Sequence, residues 1–361
     1  MESLDKYNEK DTEPEVGRFV HGFEALKLPA VEVKNEVAWV NKKIKLPFGI
    51  KKGESNRLGM FLMPSNVRQE GNFYPLEIQP EHHRSGVLGR VIFEDEDGNV
   101  YRDVDLKGVG YTYLGRVEAP IRDVSTTYQG DRTWGILDKS YAENDIKKSE
   151  QFLKAGIRTY RPVALIELEE IIDANGARIS IKEAKKKKII NKDSEPVIEV
   201  RAFGVRTRVG DININNLEER ERLINDAINF VASELGKDPD NFSREEYLEW
   251  FIKTVAVSLA RMHNRNWVHG YLTTHNITLD ARIIDLDSVE TAQEIQERAT
   301  LGDLDAYLFK SFYKDKNRLI DTADFLIDKL VPGFLKDMRP LFYDTYSKEL
   351  KDLRTKNKKQ T

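Results

Sequence analysis

Hydrophobic and polar positions follow a short-period pattern in the first half of the chain. From about Trp39 to Tyr113, brief apolar runs such as FLM, VIF and VDL are separated by Gly, Pro, Asn and Asp, and DEDGN at 95–99 suits a hairpin turn. Further strand patterns occur at 161–166 and 196–201. This half of the chain is therefore predicted to be mostly β-sheet.

One helix interrupts the strand-rich half, over about residues 142–155. It is predicted to stop at Gly156, because glycine commonly follows a helix C-terminus. Ile146, Glu150 and Leu153 fall at the helical spacing i, i+4 and i+7, which predicts that Glu150 faces the interior beside two apolar residues. A carboxylate facing inward needs a cation, although an exposed glutamate on this helix is the alternative.

Helical spacing of apolar residues begins after Asp211. Stripes run through 217–231 and 248–262, and the second helix is predicted to begin with a capping box at 243–246. Segments near 293–312, 317–330 and 335–353 are also helical in pattern. The second half of the chain is therefore predicted to be all helical apart from one short hairpin.

The complete pattern predicts an α+β protein in three parts. These parts are a loosely held tail at 1–15, a β-rich part at 16–210 with a lysine-rich insertion near 169–196, and a helical part at 211–361. The run Lys185–Lys188 within the insertion is read as a solvated loop, with contact to nucleic acid or anionic lipid as the less favoured alternative.

The hairpin lies in the stretch from Trp267 to Val289, where 277–279 and 283–284 read as its strands. Asn276 precedes the first strand, and Asp285 and Asp287 follow the second. Oxygen ligands of this kind suit Mg²⁺ completed by nucleotide phosphates and water, whereas histidines and cysteines would indicate zinc. The stretch therefore predicts a Mg-nucleotide site.

Candidate phosphate ligands occur upstream of this stretch. Gly89 and Arg90 end a glycine-containing segment that could cradle phosphate with backbone N–H groups, although such segments more often only turn the chain. Lys107 ends a strand and needs an anionic partner if it is buried, or reaches solvent if the strand is at an edge. Arg201 and Arg208 suit bidentate phosphate binding as well as surface ion pairs.

Composition narrows the function classes without identifying one. The chain has 361 residues, a formal net charge of −4, 33% charged residues and no cysteine. The charge gives no reason to expect nucleic-acid binding, and the missing cysteines exclude disulfides, thiolate metal sites and thiol catalysis. We expect a cytoplasmic protein without membrane spans, because no secretory signal or long apolar segment is present.

Four motifs, in this order along the chain, resemble the selenoprotein O family of kinase-like protein adenylyltransferases. DLKGVGYT at 105–112 is similar to that family's LKG-x-G-x-T motif, and SE at 149–150, continuing to GIRTYR at 156–161, is similar to its SE-x(5)-GIPTTR motif. Arg201 and Arg208 resemble its paired arginines, and HG at 269–270 with Asn276 resembles its HG-x(5)-N loop. The resemblance extends over about residues 85–290.

The resemblance implies a protein-kinase-like bilobal fold, with a β-rich N-lobe and a helical C-lobe, that binds ATP and Mg²⁺ or Mn²⁺ and transfers AMP to a hydroxyl group of a protein. The implied nucleotide-binding residues are Lys107, Glu150 as the partner of that lysine, Arg201, Arg208 and, by two weaker matches to GDGR turns, Gly89, Arg90 and Asp131. The implied metal ligands are Asn276 and Asp285.

Two features depart from the family, at His275 and at 285–287, and one departs from true kinases, at Tyr271. His275 stands where the family has its aspartate base, Tyr271 stands where kinases have theirs, and Asp-Leu-Asp at 285–287 replaces DYG. A histidine can accept a proton near neutral pH, so His275 is the candidate catalytic base. The alternatives are a catalytically silent pseudokinase scaffold that binds nucleotide and, with less support, a small-molecule or protein kinase, because HG-x(5)-N with ID-x-D also resembles aminoglycoside-type phosphotransferases.

Overall fold

The computed structural model describes residues 26–44, 49–63, 74–78, 85–110, 135–173, 175–298, 304–333 and 337–360. These residues form helices together with a large antiparallel sheet, so the predicted α+β class is confirmed. The predicted tail at 1–15 lies outside the described residues.

The chain divides into two compact units. Unit 1 comprises Met1–Ile146 and Arg161–Gly204, and unit 2 comprises Lys147–Tyr160 and Val205–Thr361. Unit 2 therefore includes a segment from the strand-rich half of the sequence. This segment belongs to unit 2 because it is hydrogen-bonded there. The Ile283 amide donates to the Arg158 carbonyl at 2.9 Å, and the Thr159 side-chain hydroxyl donates to the Ile283 carbonyl at 2.5 Å.

Unit 1 is built on one antiparallel sheet. Its strands within the described residues are β1 Leu26–Glu32, β2 Asn35–Val40, β3 Met60–Leu62, β4 Tyr74–Ile78, β5 Ser85–Glu94, β6 Val100–Lys107, β7 Leu137–Asp138, β8 Arg161–Leu168 and β11 Pro196–Phe203. The order across the sheet is β2-β8-β11-β6-β5-β4-β1-β3, and β7 pairs with the start of β11. The central strands β6 and β11 are therefore each hydrogen-bonded to a neighbouring strand on both sides.

The two faces of the central strands differ in chemistry because successive side chains of a strand point to opposite sides. Val104 and Leu106 of β6, with Val200 and Ala202 of β11, belong to the main apolar core of unit 1. The intervening residues of both strands are charged and are buried on the opposite face. An apolar core thus supports one layer of ionisable side chains.

The lysine-rich insertion is ordered secondary structure. Strands β9 Glu170–Ile172 and β10 Arg178–Ser180 form a hairpin, and helix α2 Ile181–Lys186 follows it. Ile179 and Ala184 extend the core of unit 1. The reading of the lysine run as a loop is wrong for Lys185 and Lys186, which end the helix, whereas the expectation that the run is largely solvated is met because its last three lysines are exposed.

The glycine-containing segment at 85–90 is a strand, and the predicted turn there is wrong. It forms the first part of β5, with Gly89 opposite Val104 at a register shift. The glycine at position 86 has a packing reason, because a Cβ built on it would lie 2.3 Å from a methyl carbon of Leu76 on β4. Close strand packing accounts for this glycine without a phosphate.

Unit 2 is mainly helical. Besides α2, the α-helices within the described residues are α1 Lys139–Lys154, α3 Leu217–Glu234, α4 Arg244–His263, α5 Ala292–Arg298, α6 Leu304–Leu330 and α7 Arg339–Gln360. The first half of α1 belongs to unit 1. The predicted capping box is confirmed: the Ser243 hydroxyl accepts from the Glu246 amide, and the Glu246 carboxylate accepts from the Ser243 amide, both at 3.1 Å. The short strands β12 Trp267–Val268 and β13 Glu290–Thr291 pair with each other.

Helix α6 is longer than predicted. The sequence pattern gives separate segments near 293–312 and 317–330, but residues 304–330 form one continuous helix. The residues between the two segments contain no glycine or proline that would end a helix. No helix in the described part of the chain is long and apolar enough to cross a membrane.

Gly108, directly after β6, provides a test of this packing. Its φ of +103° is unfavourable for other residues, and a Cβ would lie 2.3 Å from the Val197 carbonyl oxygen. Gly98 also has a positive φ, +78°, but a Cβ there would meet no atom within 4 Å. Gly98→Ala should therefore cost about 1–2 kcal/mol of unfolding free energy, and Gly108→Ala about 1–3 kcal/mol more. Urea denaturation measures both, and equal losses would contradict the backbone contact.

Candidate functional site

The charged face of unit 1 is assembled by the register of β6 and β11. Lys107 lies opposite Glu199, and Asp105 lies opposite Arg201. Residues two apart on a strand share a face, so all four side chains lie together. Each is at most 5% exposed. Four ionisable groups in such a position are costly to desolvate and must be compensated by one another or by a ligand.

The buried charge of Lys107 is neutralised by a carboxylate on a helix, but not by the carboxylate that the sequence predicts. Its Nζ donates to Oδ2 of Asp145 on α1 at 2.8 Å, and both side chains are almost fully buried. The sequence predicts Glu150 for this role. The structure corrects that prediction, because the carboxylate paired with Lys107 is five residues earlier on the same helix.

The correction follows from which stripe of α1 is buried. Ala142, Asp145, Ser149 and Phe152 are each at most 1% exposed, at helical spacings of three and four residues. The stripe chosen from the sequence, which contains Glu150, is only half-buried. The apolar pattern was misleading here because the buried stripe itself carries an aspartate and a serine.

Arg201 is held by a second carboxylate of the same face. Its Nε and Nη2 atoms donate to the two oxygens of Asp105 at 2.9 and 2.8 Å, and Nη2 also donates to the Ser85 hydroxyl at 3.2 Å. This is the bidentate geometry in which arginine binds carboxylates most strongly. An anionic ligand of Arg201 would have to share the guanidinium group with Asp105 or replace that carboxylate.

Glu199 is a functional candidate that the sequence reading missed. It is completely buried, and neither carboxylate oxygen has a hydrogen-bond partner among the described residues. Burial raises its pKa to about 8, Asp145 and Asp105 act in the same direction, and Lys107 and Arg201 oppose them. Asp105, Asp145 and Glu199 are thus three carboxyl groups beside the cations Lys107 and Arg201, and a proton on Glu199 makes this set neutral. The available signal was a glutamate inside the otherwise apolar strand pattern of 196–200.

In unit 2, the loop that carries the predicted metal ligands is anchored by Asp315 of α6. The two oxygens of this buried carboxylate accept from the backbone amides of His269 and Gly270, at 3.0 and 2.8 Å. The His269 side chain is within 2.8 Å of the Ile284 carbonyl and so joins both ends of the stretch. The sequence reading missed Asp315, although an aspartate on the buried stripe between Leu308 and Leu319 was a usable signal.

Asn276 has a fixed side-chain amide. Its Nδ2 donates to the Tyr271 carbonyl at 2.8 Å, which leaves the amide oxygen, the atom that binds hard cations, as the other end of the group. The hairpin after it is present as a single bridge between Ile277 and Ile283 instead of two strands. The Ile284 amide donates to the Asn276 carbonyl at 3.0 Å, so Asn276 lies opposite the neighbour of Asp285.

Asp285 has a left-handed backbone conformation, with φ +62° and ψ +51°. For an aspartate this conformation is uncommon, and strained backbone of this kind is concentrated at functional sites. One carboxylate and one amide oxygen are a suitable set for Mg²⁺, which takes few protein ligands and completes its shell with phosphates and water. No group of three or more His, Asp or Glu that could hold a metal ion occurs within the described ranges.

Arg208 and His275 lie beside this loop. The amides of Val209 and Gly210 donate to the carbonyls of Ile277 and Thr274, both at 2.8 Å, so the backbone after Arg208 pairs with the loop. The His275 side chain is exposed, and a Cβ built on Gly210 would lie 3.0 Å from its Nδ1 atom.

The predicted site residues therefore fall into two groups. Glu150, Arg208, His275, Asn276 and Asp285 belong to unit 2, whereas Gly89, Lys107 and Arg201 belong to unit 1. Asp131 lies outside the described residues, as does the side chain of Arg90.

A network of ion pairs holds the hairpin of the 267–289 stretch in place. Arg158 donates to the carboxylates of Glu234 and Asp280, and Arg282 Nε donates to Asp280 Oδ2 at 2.7 Å. Arg282 also donates to the Thr159 carbonyl at 2.7 Å. Arg158 and Thr159 of the GIRTYR motif thus position the hairpin in unit 2 without belonging to the predicted ligand set.

A separate groove of about 570 Å³ lies in unit 1. Its walls mix apolar and charged side chains, and the residues that line it are Glu36, Ala38, Trp39, Lys52, Lys139, Glu143, Ile146, Leu165 and Glu167. None of the predicted site residues contributes to this groove.

The assignment of Asp145 can be tested on helix α1 itself. Asp145→Ala leaves Lys107 buried without its hydrogen-bonded carboxylate and should cost about 3–5 kcal/mol of unfolding free energy. Glu150→Ala is the comparison on the same helix and should cost less than Asp145→Ala, because Glu150 is only half-buried. A larger effect at Glu150 than at Asp145 in urea denaturation would restore the original assignment.

The raised pKa of Glu199 predicts a specific pH dependence. Between its ordinary value of 4.5 and about 8, the unfolded chain loses this proton while the folded protein keeps it, so stability contributed by this group falls as pH rises. Glu199→Gln cannot ionise. Relative to this variant, the wild type should lose more than about 1 kcal/mol between pH 5 and pH 8, since one pKa unit corresponds to about 1.36 kcal/mol. A constant difference across that range would refute the protonated state.

Comparisons with known proteins do not assign a family. No protein-family model matches the chain, and no curated protein matches it significantly. The resemblance to the selenoprotein O family therefore rests on the motifs that carry Lys107, Arg201, Arg208 and Asn276, and membership of that family remains a prediction.

Proposed function

We propose that the protein has a protein-kinase-like fold and transfers AMP from Mg-ATP to a hydroxyl side chain of a protein, as the resemblance to selenoprotein O enzymes implies. The observation that carries this proposal is the buried ion pair between Lys107 and Asp145, at 2.8 Å. A strand lysine paired with a helix carboxylate is the arrangement by which kinase-like folds direct a lysine toward nucleotide phosphates.

Unit 1 supplies the phosphate-binding cations in this proposal. Lys107 uses one of its three N–H donors on Asp145, and phosphate oxygens accept from the remaining ones. Arg201 adds a planar guanidinium group that suits phosphate as well as its present partner Asp105. These two residues stabilise the negative charge that accumulates on the departing pyrophosphate.

Unit 2 supplies the metal ligands and the base. Asn276 and Asp285 would hold Mg²⁺ or Mn²⁺, which would supply positive charge to neutralise the phosphates. The acceptor hydroxyl oxygen forms a bond to the α-phosphorus, the bond from that phosphorus to its bridging oxygen breaks, and pyrophosphate leaves. His275 takes the hydroxyl proton, a role for which its exposure to solvent gives access.

A second function is favoured by one specific observation. Arg201 is already bound in bidentate geometry by Asp105, which occupies the donors that a phosphate would use. This arrangement suits a catalytically silent pseudokinase in which nucleotide binding is weak or regulatory. The same alternative is motivated by His275 and Tyr271, which stand where aspartate bases are expected.

Transfer from ATP labelled at either the α- or the γ-phosphorus separates these functions. The proposal predicts that the α-label is incorporated into protein, including the enzyme itself, and that Asp285→Ala abolishes the incorporation. His275→Ala should lower it about 10²-fold or more while the increase in melting temperature with Mg-ATP is retained. Asp344→Ala, an exposed change on α7, is the control and should incorporate label normally.

The other outcomes identify the alternatives. Incorporation from the γ-label alone would replace AMP transfer by a kinase activity. Stabilisation by Mg-ATP without incorporation of either label would establish the silent scaffold.

A further inference from the structure

One face of α6 exposes aromatic side chains to solvent. Phe309 is 77% exposed and Tyr313, one helical turn later, is 58% exposed. Among the large hydrophobic residues that the structure describes, no other is as exposed as Phe309. Adjacent exposed aromatic residues are typical of contact surfaces for other molecules, because isolated apolar residues are common on surfaces but clustered ones are not.

A basic stripe runs beside these aromatic residues. Lys310, Lys314 and Arg318 occupy positions i, i+4 and i+8 of α6, and like charges at this spacing destabilise a helix. Elsewhere on the chain the same spacing joins opposite charges, as in Glu249 with Lys253 at 2.6 Å. Within the described residues, Lys310 and Lys314 have no ion pair. The two lysines gain no stabilising ion pair within the described residues, and an anionic partner would supply one.

This surface continues into the loop of the candidate site. Lys314 Nζ and Arg318 Cζ lie 5.4 and 5.0 Å from the centre of the Tyr271 ring, and Arg318 also donates to the Gly270 carbonyl. The Tyr271 ring is 57% exposed, and its backbone carbonyl accepts from the Asn276 amide at 2.8 Å. The basic and aromatic groups are thus directly linked to a predicted metal ligand.

We propose that Tyr271, Phe309, Lys310, Tyr313, Lys314 and Arg318 form an acceptor-docking surface that binds an acidic polypeptide segment containing an aromatic or aliphatic side chain. The identity of this segment as part of the acceptor protein rests on the proposed function. Phe309 and Tyr313 provide the hydrophobic centre, and the basic stripe provides a rim that attracts carboxylates. A segment bound beside Tyr271 lies close to the His275 loop.

A polypeptide is favoured over a nucleic acid by the arrangement of these groups. Single-stranded nucleic acid is held by a positively charged groove that follows its backbone, with bases stacked on successive aromatic rings. Here the cations form a single stripe on one helix, and the chain as a whole carries a formal net charge of −4. A hydrophobic centre with a basic rim is instead the anatomy of a small protein interface.

The test measures binding without nucleotide, so it does not depend on catalysis. The probe is a fluorescein-labelled random copolymer of glutamate and tyrosine, and its anisotropy is recorded with the full-length protein at low salt. The double variant Lys310→Glu/Lys314→Glu should bind at least tenfold more weakly, and Phe309→Ala/Tyr313→Ala at least fivefold. The matched controls on α7, Lys348→Glu/Lys351→Glu and Tyr343→Ala, change exposed residues of the same kinds and should bind as the wild type does.

Several results would contradict the proposed docking surface. Equal weakening by the α6 and α7 variants would show non-specific attraction, and no weakening by either α6 variant would show that the copolymer binds elsewhere. Tighter binding of a lysine–tyrosine copolymer, or of oligothymidylate, would replace the acidic polypeptide by a different partner. Matching melting curves for wild type and variants are required for each comparison, and all the changed side chains are exposed.

The docking surface and the AMP-transfer proposal can fail separately. If the copolymer binding depends on the α6 residues but the protein transfers no AMP, the docking surface is supported and the AMP-transfer activity is rejected. If the protein transfers AMP to itself but the α6 substitutions do not change copolymer binding, the AMP-transfer activity is supported and the docking surface is rejected.

Discussion

The charge balance on the buried face of unit 1 is the constraint on which the rest of that unit depends. Lys107 and Arg201 lie on strands whose other face forms the apolar core, and each residue is only 5% exposed. Asp145 neutralises Lys107 and Asp105 neutralises Arg201, so Glu199 remains as a third acidic group. Such a layer is difficult to justify as stabilisation, because apolar residues of similar volume would do as well or better.

Unit 2 solves a different problem, which is to hold a loop of irregular backbone in one conformation. Asp315 satisfies two consecutive amides of that loop, and the side chain of His269 connects the loop to the far end of the hairpin. Asp280 and Arg282 form a buried, hydrogen-bonded ion pair next to the loop. The left-handed conformation of Asp285 is tolerated because these surroundings determine its position.

The sequence predicted the fold better than the partners of its charged residues. Alternation in the first half and helical spacing in the second predicted the α+β class, the helix that stops before Gly156 and the capping box at Ser243, because these depend on local patterns. The partner of Lys107 could not be predicted in this way. The choice between Asp145 and Glu150 depends on how α1 is rotated against its surroundings, and a buried stripe that includes polar residues is invisible to an apolar pattern.

The same limit applies to Glu199 and Asp315, which are buried acids in otherwise apolar patterns. Their positions were readable from the sequence, but their roles depend on neighbours distant in the chain. Conversely, the segment at 85–90 has glycines that suggested a turn, and only the approach of Leu76 explains why a strand needs one of them. Sequence patterns thus located the charged residues and left their pairing to tertiary structure.

The proton on Glu199 has a consequence for any anion that binds the cations of this face. A phosphate near Lys107 and Arg201 adds negative charge beside a carboxyl group that is already reluctant to ionise, and so raises the pKa of Glu199 further. Anion binding near and above pH 8 is therefore coupled to proton uptake from the solvent. The affinity of unit 1 for phosphate would then fall as the solution becomes more alkaline, and the measured heat of binding would depend on the ionisation enthalpy of the buffer.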